Sequence, residues 1–300
     1  MGTIASAAVG ALQDSPAGLR VPRSPLQIGS HLQRLRNTPA GVLGREPELA
    51  AIRAHIRARR PLFLCGPAGV GKTAVLQAVY GAWEVHREGY PVFYCGDSGT
   101  QRCLATHLLV NLLAHHGRLQ SEYIGRRATV ASLSQLRRFV EQARLPQLKR
   151  MMHQNLLRQP GCLFLDHLDH PDPRIAGLIE VWLESTPLVV VARDAASAGR
   201  ARWLLSAFEQ MTLSALSDAL LLELARKAAA HLGLRLTEAD VHAVAKRAAG
   251  NPGRLQQLLR AATRPGYQKD GTVQWKLVDL DLRIRAIGLA DPERSERSPS

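Results

Sequence analysis

A glycine-rich octapeptide between an apolar run and a helical stretch constrains this chain more than any other feature. Residues 66–73 read GPAGVGKT, which fits the pattern GxxxxGKT. The apolar run 61–65 before it predicts a buried strand, and residues 73–89 after it predict a helix. Such a loop wraps its backbone N–H groups around a phosphate, and the N-terminus of the following helix adds a favourable dipole. The pattern in this context therefore predicts a phosphate-binding loop.

The side chains of this loop indicate its chemistry. Lys72 is expected to reach the β- and γ-phosphates of a nucleotide, and Thr73 is expected to ligate Mg²⁺. A nucleotide and Mg²⁺ are therefore expected at this loop, and the family resemblance described below implies that the nucleotide is ATP. The residues expected to contact the nucleotide in this segment are Gly66, Pro67, Ala68, Gly69, Val70, Gly71, Lys72, Thr73 and Ala74.

Four short apolar runs alternate with helical stretches and predict the fold class. Strands that are buried on both faces read as continuous apolar runs, and their alternation with helices implies a parallel sheet. We expect an α/β fold, namely a P-loop NTPase sheet with flanking helices. Residues 101–158 are expected to form a long helical stretch. The four runs are 61–65, 91–95, 162–166 and 188–192.

The chain after residue 213 predicts a small all-helical lid, because no further parallel strand appears there. Capping signals at Ser217, Thr237 and Asn251 predict the starts of three helices. The expected domains are a flexible N-terminal arm at 1–40, a P-loop ATPase domain at 41–213, a lid at 214–264 and an extension at 265–300. In the extension, Asp270-Gly271 predicts a hairpin, the alternating residues 279–287 predict a further strand, and a disordered tail follows.

A second acidic group is predicted at the end of the third apolar run. A P-loop needs an acid on its magnesium side at the end of a neighbouring strand, and Asp166 ends the run 162–166. Asp166 is therefore the candidate Walker B residue and, with Thr73, a candidate metal ligand. The alternative for an aspartate at this place is capping of the next helix.

The residue after Asp166 puts hydrolysis in doubt. That position usually carries the group that polarises the attacking water, but here it holds His167. Asp169 or Asp172 can substitute for the missing acid, or His167 itself can act as the base, since an imidazole exchanges protons near neutral pH. His167, Asp169 and His170 also suggest a zinc site, but no further ligand at suitable spacing supports one.

With both motifs in place, the chain resembles the AAA+ and STAND branches of the P-loop ATPases over residues 41–263. Residues 44–49 (GREPEL) are similar to the GRExEL motif, and residues 165–172 (LDHLDHPD) to a Walker B of the form LDDLxWAD. The strand 188–192 ends at Arg193, which is the sensor 1 position. Residues 250–255 (GNPGRL) resemble the GNPxxL lid motif of origin-recognition and transposition ATPases.

This resemblance implies roles for four more residues. Gly44 and Arg45 are expected beside the adenine, Arg193 is expected to point at the γ-phosphate, and Arg254 is expected to act as sensor 2 from the lid. An ordinary surface ion pair is the alternative for each of Arg193 and Arg254. The residues with expected catalytic roles are thus Lys72, Asp166, His167, Arg193 and Arg254. Arg200 and Arg202 are candidate arginine fingers for a neighbouring subunit, although solvated surface arginines are the more ordinary interpretation.

The charge of the chain suggests an anionic partner. The chain has 39 basic and 25 acidic residues, so its net charge is +14. Half of that excess lies in residues 117–160, which hold nine basic groups and two acidic ones. Nucleic acid is therefore a candidate partner through this segment. The basic groups are Arg118, Arg126, Arg127, Arg137, Arg138, Arg144, Lys149, Arg150 and Arg158.

Two functions remain open at this point. The first is an ATPase with slow hydrolysis whose nucleotide state controls lid closure and engagement of nucleic acid; the basic segment and the GNPGRL motif favour it. The second is a STAND-type signalling switch that holds ATP and acts through a protein partner, which Arg193 and His167 favour. Self-assembly is compatible with either. An ATP-binding module with a merely solvated basic surface is the plainest alternative.

Cysteine usage and hydropathy exclude several other classes. The four cysteines include no CxxC pair, so neither a disulfide framework nor a zinc knuckle is predicted. No apolar run approaches the roughly 18 residues of a membrane span. We expect a cytoplasmic protein without membrane contact. The arginine-rich start of the chain resembles an organellar transit peptide faintly, and this alternative stays open.

Overall fold

The structure is a computed structural model that describes residues 42–86, 90–123, 126–158, 161–184, 186–269 and 272–286. The predicted N-terminal arm, the predicted disordered tail and the Asp270-Gly271 turn lie outside these residues. The described chain divides into two compact units. The first unit runs to Pro67 and resumes over Lys72–Leu213, while the second comprises Ala68–Gly71 and the chain from Ser214 onward.

A five-stranded parallel sheet forms the centre of the first unit and confirms the predicted α/β class. The strands are β1 (Leu62–Cys65), β2 (Val92–Cys95), β5 (Cys162–Leu165), β6 (Leu188–Val191) and β7 (Glu209–Thr212), in the spatial order β2-β5-β6-β1-β7. The first four are buried along their whole length, as the continuous apolar runs predict. Strand β7 was not predicted, because its residues are mostly polar and mostly exposed at the edge of the sheet.

Helices surround this sheet and follow the strands in the predicted alternation. They are α1 (Glu46–Arg57), α2 (Lys72–His86), α3 (Gln101–His116), α4 (Leu133–Gln142), α5 (Leu145–Arg158), α6 (Ile175–Leu183) and α7 (Arg202–Leu205), with a short 3-10 turn at Gly199–Ala201. Asn111 on α3 covers the open edge of β2: its Oδ1 accepts from Tyr94 N at 3.1 Å and its Nδ2 donates to Tyr94 O at 2.9 Å. A buried side chain thus satisfies the backbone groups that an edge strand leaves unpaired.

A pair of antiparallel strands interrupts the region predicted as one long helical stretch, so that prediction is wrong over residues 119–123 and 126–130. Strand β3 (Leu119–Tyr123) pairs with β4 (Arg126–Val130). Helix α3 ends because Gly117 takes a left-handed φ of 69°. Two side-chain amides of α5 then bind the free edge of β3: Asn155 pairs with the backbone of Gln120, and Gln154 pairs with that of Glu122. These long-range hydrogen bonds stabilise two strands that the local sequence alone does not predict.

The second unit contains the three helices that the capping residues predict. They are α8 (Asp218–His231), α9 (Glu238–Ala248) and α10 (Pro252–Ala262). The side chains of Ser217, Thr237 and Asn251 each accept a backbone N–H of the first turn, and Thr237 with Asp240 completes a capping box. A short antiparallel pair follows, β8 (Gln268–Lys269) with β9 (Thr272–Val273), as predicted.

The strand predicted within residues 279–287 is wrong where the structure describes it, because helix α11 spans Trp275–Ala286. Trp275, Val278 and Leu282 lie on one side of this helix and pack against the core of the second unit. Asp279 pairs with Arg283, and Asp281 with Arg285, at i, i+4 spacing. Tertiary burial at helical spacing therefore outweighs the alternating pattern of the sequence. None of the helices in the described chain has the length and hydropathy that crossing a membrane requires.

Candidate functional site

The candidate site of the first unit lies where three neighbouring strands end. Strands β5, β6 and β1 are adjacent and parallel, so their carboxyl ends share one edge of the sheet. Gly66 follows β1, Asp166 follows β5, and Arg193 lies just after β6. The sheet therefore brings together residues that are far apart in the sequence, as in other open α/β sheets whose ligands bind at this edge.

Lys72 folds back onto the loop that precedes it. Its Nζ donates to Gly66 O at 2.6 Å and to Pro67 O at 3.0 Å. Burial lowers the pKa of Lys72 and the charge of Arg193 acts in the same direction, whereas Asp169 and Asp166 oppose the shift. The ammonium is thus placed among backbone carbonyls and carboxylates at the strand ends, where its N–H groups suit a phosphate.

Asp166 is fully buried, and two donors fix its carboxylate. The hydroxyl of Tyr94 donates to Oδ2 at 2.7 Å, and the backbone N–H of His167 donates to Oδ1 at 2.9 Å. Burial raises the pKa of Tyr94 well above its usual range, and the negative charge of Asp166 adds to this shift. Tyr94 therefore remains a neutral donor to Asp166.

His167 contacts both residues that were predicted to ligate the metal. Its Nε2 lies 3.4 Å from Thr73 Oγ1 and 3.7 Å from Asp166 Oδ2. The backbone of His167 takes a φ of 56°, in the left-handed region that few residues other than glycine adopt. The structure thus brings together Lys72, Thr73, Asp166 and His167 at one edge of the sheet.

The peptide groups of Arg193 link the loop after β1 to the loop after β5. The carbonyl of Arg193 accepts from Gly66 N at 3.0 Å, and its N–H donates to Asp169 Oδ1 at 2.8 Å. Burial opposes ionisation of Asp169, but hydrogen bonds from Arg193 and Ser197 and the charges of Lys72 and Arg193 hold its pKa below the usual range. Asp172, the other candidate substitute, accepts from Arg174 N at 2.9 Å and so supports a turn before α6.

The remaining arginines named from the sequence lie in different surroundings. Arg45 is buried, and its Nη1 donates to Glu48 Oε1 at 2.8 Å, next to Gly44 with its left-handed φ of 68°. In the second unit, Arg254 forms an ion pair with Asp279 of α11. The side chains of Arg193, Arg200 and Arg202 are exposed.

Within the second unit, the start of α10 packs against the loop tip Ala68–Gly71. Asn251 Nδ2 donates to Ala68 O at 2.7 Å, and Gly253 N donates to Gly69 O at 2.9 Å. A Cβ on Gly253 would lie 2.8 Å from Gly69 Cα and 2.9 Å from Gly69 O. The GNPGRL segment therefore needs glycine at this position, because two backbones meet there.

The described residues hold no group of three His, Cys, Asp or Glu side chains that could bind a metal ion, which speaks against the zinc site suggested by His167, Asp169 and His170. All four cysteines are free, and Cys65, Cys95 and Cys162 are buried at strand ends. Burial raises the pKa of the Cys95 and Cys162 thiols above their usual range, so both remain protonated. A thiol in that state is a poor nucleophile and a poor ligand.

A comparison with protein families settles the class of this domain. The family model described as an AAA ATPase domain matches residues 41–191, just over half of the chain. The chain belongs to the AAA ATPase domain family. It is thus an AAA+ P-loop ATPase domain, as its motifs predict. No curated protein matches the sequence.

Three solved structures share the fold of this AAA+ domain. The Aeropyrum pernix Orc1 protein, solved in complex with DNA, aligns with a TM-score of 0.55 at 16% identity, covering 89% of this chain and 72% of Orc1. Cdc6p from Pyrobaculum aerophilum aligns with a TM-score of 0.52 at 14% identity over 75% of this chain, which spans 62% of the length of Cdc6p. Domain III of the Thermotoga maritima replication initiation protein DnaA gives a TM-score of 0.50 at 16% identity, covering 81% and 93% of the two chains. At these identities the likeness shows the fold.

Sequence reasoning missed two residues of this AAA+ site. Tyr94 was interpreted only as part of a buried apolar strand. Its hydroxyl could have indicated a role, because a buried phenol needs a hydrogen-bond partner. Asp169 was weighed as a substitute base and as part of a zinc site, whereas the structure shows that it accepts the backbone N–H of Arg193. Neither contact follows from the spacing of residues along the chain.

Replacing Gly253 with alanine tests the close approach of α10 to the loop tip. Alanine in a helix is favoured over glycine by about 1 kcal/mol, but the backbone clash should cost about 1–3 kcal/mol, as overpacking does. We therefore expect Gly253→Ala to lower the free energy of unfolding in urea. The control is Gly266→Ala, since a Cβ there meets no atom within 4 Å. Equal stability of both variants and the wild type would contradict the observed packing.

Proposed function

We propose that this chain binds ATP with a divalent metal ion at the ends of β1 and β5, hydrolyses it slowly, and uses its nucleotide state to engage nucleic acid. The observation that carries the nucleotide part is the convergence of Lys72, Thr73 and Asp166 at one edge of the sheet. Membership of the AAA ATPase domain family supports it. Lys72 would bind the β- and γ-phosphates, while the loop amides would bind the remaining phosphate oxygens.

The donor set fits Mg²⁺. Thr73 offers a hydroxyl and Asp166 a carboxylate, and hard oxygen donors of this kind suit Mg²⁺ beside substrate phosphates. Tyr94 and the N–H of His167 hold the Asp166 carboxylate in place. A bound Mg²⁺ would neutralise charge on the phosphates, and Thr73 and Asp166 are the residues that would hold it.

Slow hydrolysis is proposed because no carboxylate follows Asp166 directly. His167 contacts Thr73 there, and Asp169 accepts the N–H of Arg193. A positioned general base is worth roughly 100- to 10,000-fold in rate. The absence of a dedicated carboxylate at position 167 therefore favours retention of ATP over rapid turnover. His167 itself and Asp169 are the candidates for a residual base.

The lid is proposed to act through Arg254. We place its domain at 214–264, after a P-loop domain at 41–213. Asp279 holds Arg254, and Asp279 also pairs with Arg283 at 2.9 Å. On lid closure, Arg254 would exchange Asp279 for the γ-phosphate, and Arg193 would approach the same phosphate from the end of β6. Positive charge from both arginines would then stabilise the charge that develops during hydrolysis.

The β3–β4 hairpin and helices α4 and α5, residues 119–158, are proposed as the nucleic-acid interface. Arg118 just before the hairpin, Arg127 on it, Arg138 on α4 and Arg150 on α5 are exposed. The amides of Gln154 and Asn155 bind strand β3 to α5, so hydrogen bonds join the strand pair that carries Arg127 to the helix that carries Arg150. Arginine on a fixed surface suits the phosphate backbone, whereas base-specific contacts require other groups.

A STAND-type switch is the second candidate. Its support is the combination of His167 beside Thr73 with Arg193 at the end of β6. In that case ATP would be held rather than consumed, and a protein partner or a second copy of the chain would respond to the bound state. Under either function the four free cysteines suit a reducing cytoplasm, which we propose as the location.

Replacing Lys72 with alanine tests the nucleotide site. The variant should lose the charge that binds the β- and γ-phosphates, so its affinity for a fluorescent ATP analogue should fall at least about tenfold, or 1.4 kcal/mol. Lys246→Ala, which removes an exposed lysine of α9, serves as the control and should bind like the wild type. Unchanged affinity in Lys72→Ala would overturn the assignment of the phosphate-binding loop.

Reversing charges on the hairpin and the helices after it tests the nucleic-acid interface. The triple variant Arg127→Glu, Arg138→Glu, Arg150→Glu should bind duplex DNA more weakly irrespective of base sequence. The slope of log K against log salt should flatten by about 0.9 for each lost phosphate contact.

The control for this experiment has the same net charge. It reverses Arg235, Lys246 and Lys276 of the second unit, which are exposed and lie outside residues 117–160. If both triple variants weaken binding equally, the interaction depends on overall charge and the proposed interface is wrong. Salt-independent binding by the wild type would exclude phosphate contacts altogether.

A further inference from the structure

We propose that His167 supplies an imidazole nitrogen to the divalent metal ion that accompanies the nucleotide, so that a first-row transition ion such as Co²⁺ gains affinity that Mg²⁺ does not. The inference rests on the proposed nucleotide site. It assigns a third ligand to a site for which the sequence predicted only the oxygens of Thr73 and Asp166.

The positions of three donor atoms carry this inference. His167 Nε2 lies 3.4 Å from Thr73 Oγ1 and 3.7 Å from Asp166 Oδ2. In an octahedral complex with metal–ligand bonds of about 2.1 Å, donors in adjacent positions lie about 3 Å apart. The nitrogen of His167 would therefore need to move about 0.4 Å closer to Thr73 Oγ1 and about 0.7 Å closer to Asp166 Oδ2 to share one ion with each of them.

The backbone of His167 adopts an energetically unfavourable conformation at this position. Its φ of 56° is a left-handed value, which is unfavourable for a residue with a side chain. Two hydrogen bonds maintain it: His167 N donates to Asp166 Oδ1 at 2.9 Å, and the next N–H, of Leu168, donates to Val191 O at 2.9 Å. Strain that the surrounding structure maintains is found preferentially at functional sites. Here it leaves the imidazole of His167 in contact with Thr73 and close to Asp166.

Ligand chemistry determines which ions benefit. Mg²⁺ prefers oxygen ligands and keeps its water, so an imidazole adds little to its binding. Affinity for nitrogen-containing sites rises from Mn²⁺ through Co²⁺ to Ni²⁺ along the first transition row. The oxygens of Thr73 and Asp166 suit all of these ions, whereas the nitrogen of His167 favours the later ones. His167 should therefore change the metal preference of the site rather than its affinity for nucleotide as such.

His170 provides a matched control. It lies three residues further along the same loop, is exposed like His167 and has a similar left-handed φ of 51°. Its backbone N–H donates to Ser197 O, whereas the side-chain partner of Thr73 and the histidine beside Asp166 is His167. Substitution of either histidine by asparagine, which tolerates a left-handed backbone, should preserve the fold.

The first experiment measures the affinity for ADP by calorimetry in the presence of Mg²⁺ or Co²⁺. For His167→Asn, ADP affinity with Co²⁺ should fall about tenfold, the size of effect expected when support for a metal ion is lost, while affinity with Mg²⁺ should change less than about twofold. The His170→Asn variant should behave like the wild type with both ions. An equal loss with both ions, or no loss with Co²⁺, would overturn the proposal.

The second experiment detects the nitrogen directly. Protein labelled with ¹⁵N-histidine is loaded with ADP and Mn²⁺ and studied by pulsed electron paramagnetic resonance. The wild type and His170→Asn should show coupling between Mn²⁺ and ¹⁵N, and His167→Asn should not; the label separates histidine from the nitrogens of adenine. Binding of ADP without ¹⁵N coupling would overturn this inference alone. Failure of the wild type to bind ADP with any metal would remove the proposed function as well.

Discussion

The peptide groups of Arg193 hold the candidate site together. The carbonyl of Arg193 accepts the N–H of Gly66, where the phosphate-binding loop begins. The N–H of Arg193 donates to the carboxylate of Asp169, which follows the Walker B strand. Both bonds exist only because β6 lies between β1 and β5 in a parallel sheet. Gly66 O in turn accepts from Lys72, so the position of the lysine depends on the same link. A continuous set of hydrogen bonds thus joins the residues that would bind phosphate to the loop that would hold the metal ion.

The sequence predicts those parts of the molecule that local pattern determines. The four buried strands, the phosphate-binding loop and the caps at Ser217, Thr237 and Asn251 follow from short-range chemistry, and the structure shows all of them. The β3–β4 hairpin does not follow from short-range chemistry, because side-chain amides of α5, more than 30 residues away, supply hydrogen-bond partners for the backbone of β3. Helix α11 was mistaken for a strand because burial of Trp275 and Val278 depends on the packing of α8 to α10, which the sequence does not reveal.

The site residues also divide into those that local sequence predicts and those whose contacts depend on the fold. Lys72, Thr73 and Asp166 were predicted because each belongs to a sequence motif that gives both its chemistry and its place beside a strand end. The hydrogen bond from Tyr94 to Asp166 and the contact of His167 with Thr73 depend on which strands become neighbours in space. Asp279 was unassigned in the sequence, yet it binds Arg254, the residue expected to sense the γ-phosphate. These contacts support the proposal that the site holds its nucleotide and turns it over slowly.

Steady-state ATP turnover, measured with and without duplex DNA at about 50 mM salt, tests the account most directly, since phosphate contacts are strong at that ionic strength. The account predicts slow turnover by the protein alone and faster turnover when DNA is added. Rapid turnover without DNA would contradict the role given to His167. Slow turnover that DNA leaves unchanged, together with tight retention of ATP, would contradict the nucleic-acid function and favour the STAND-type switch.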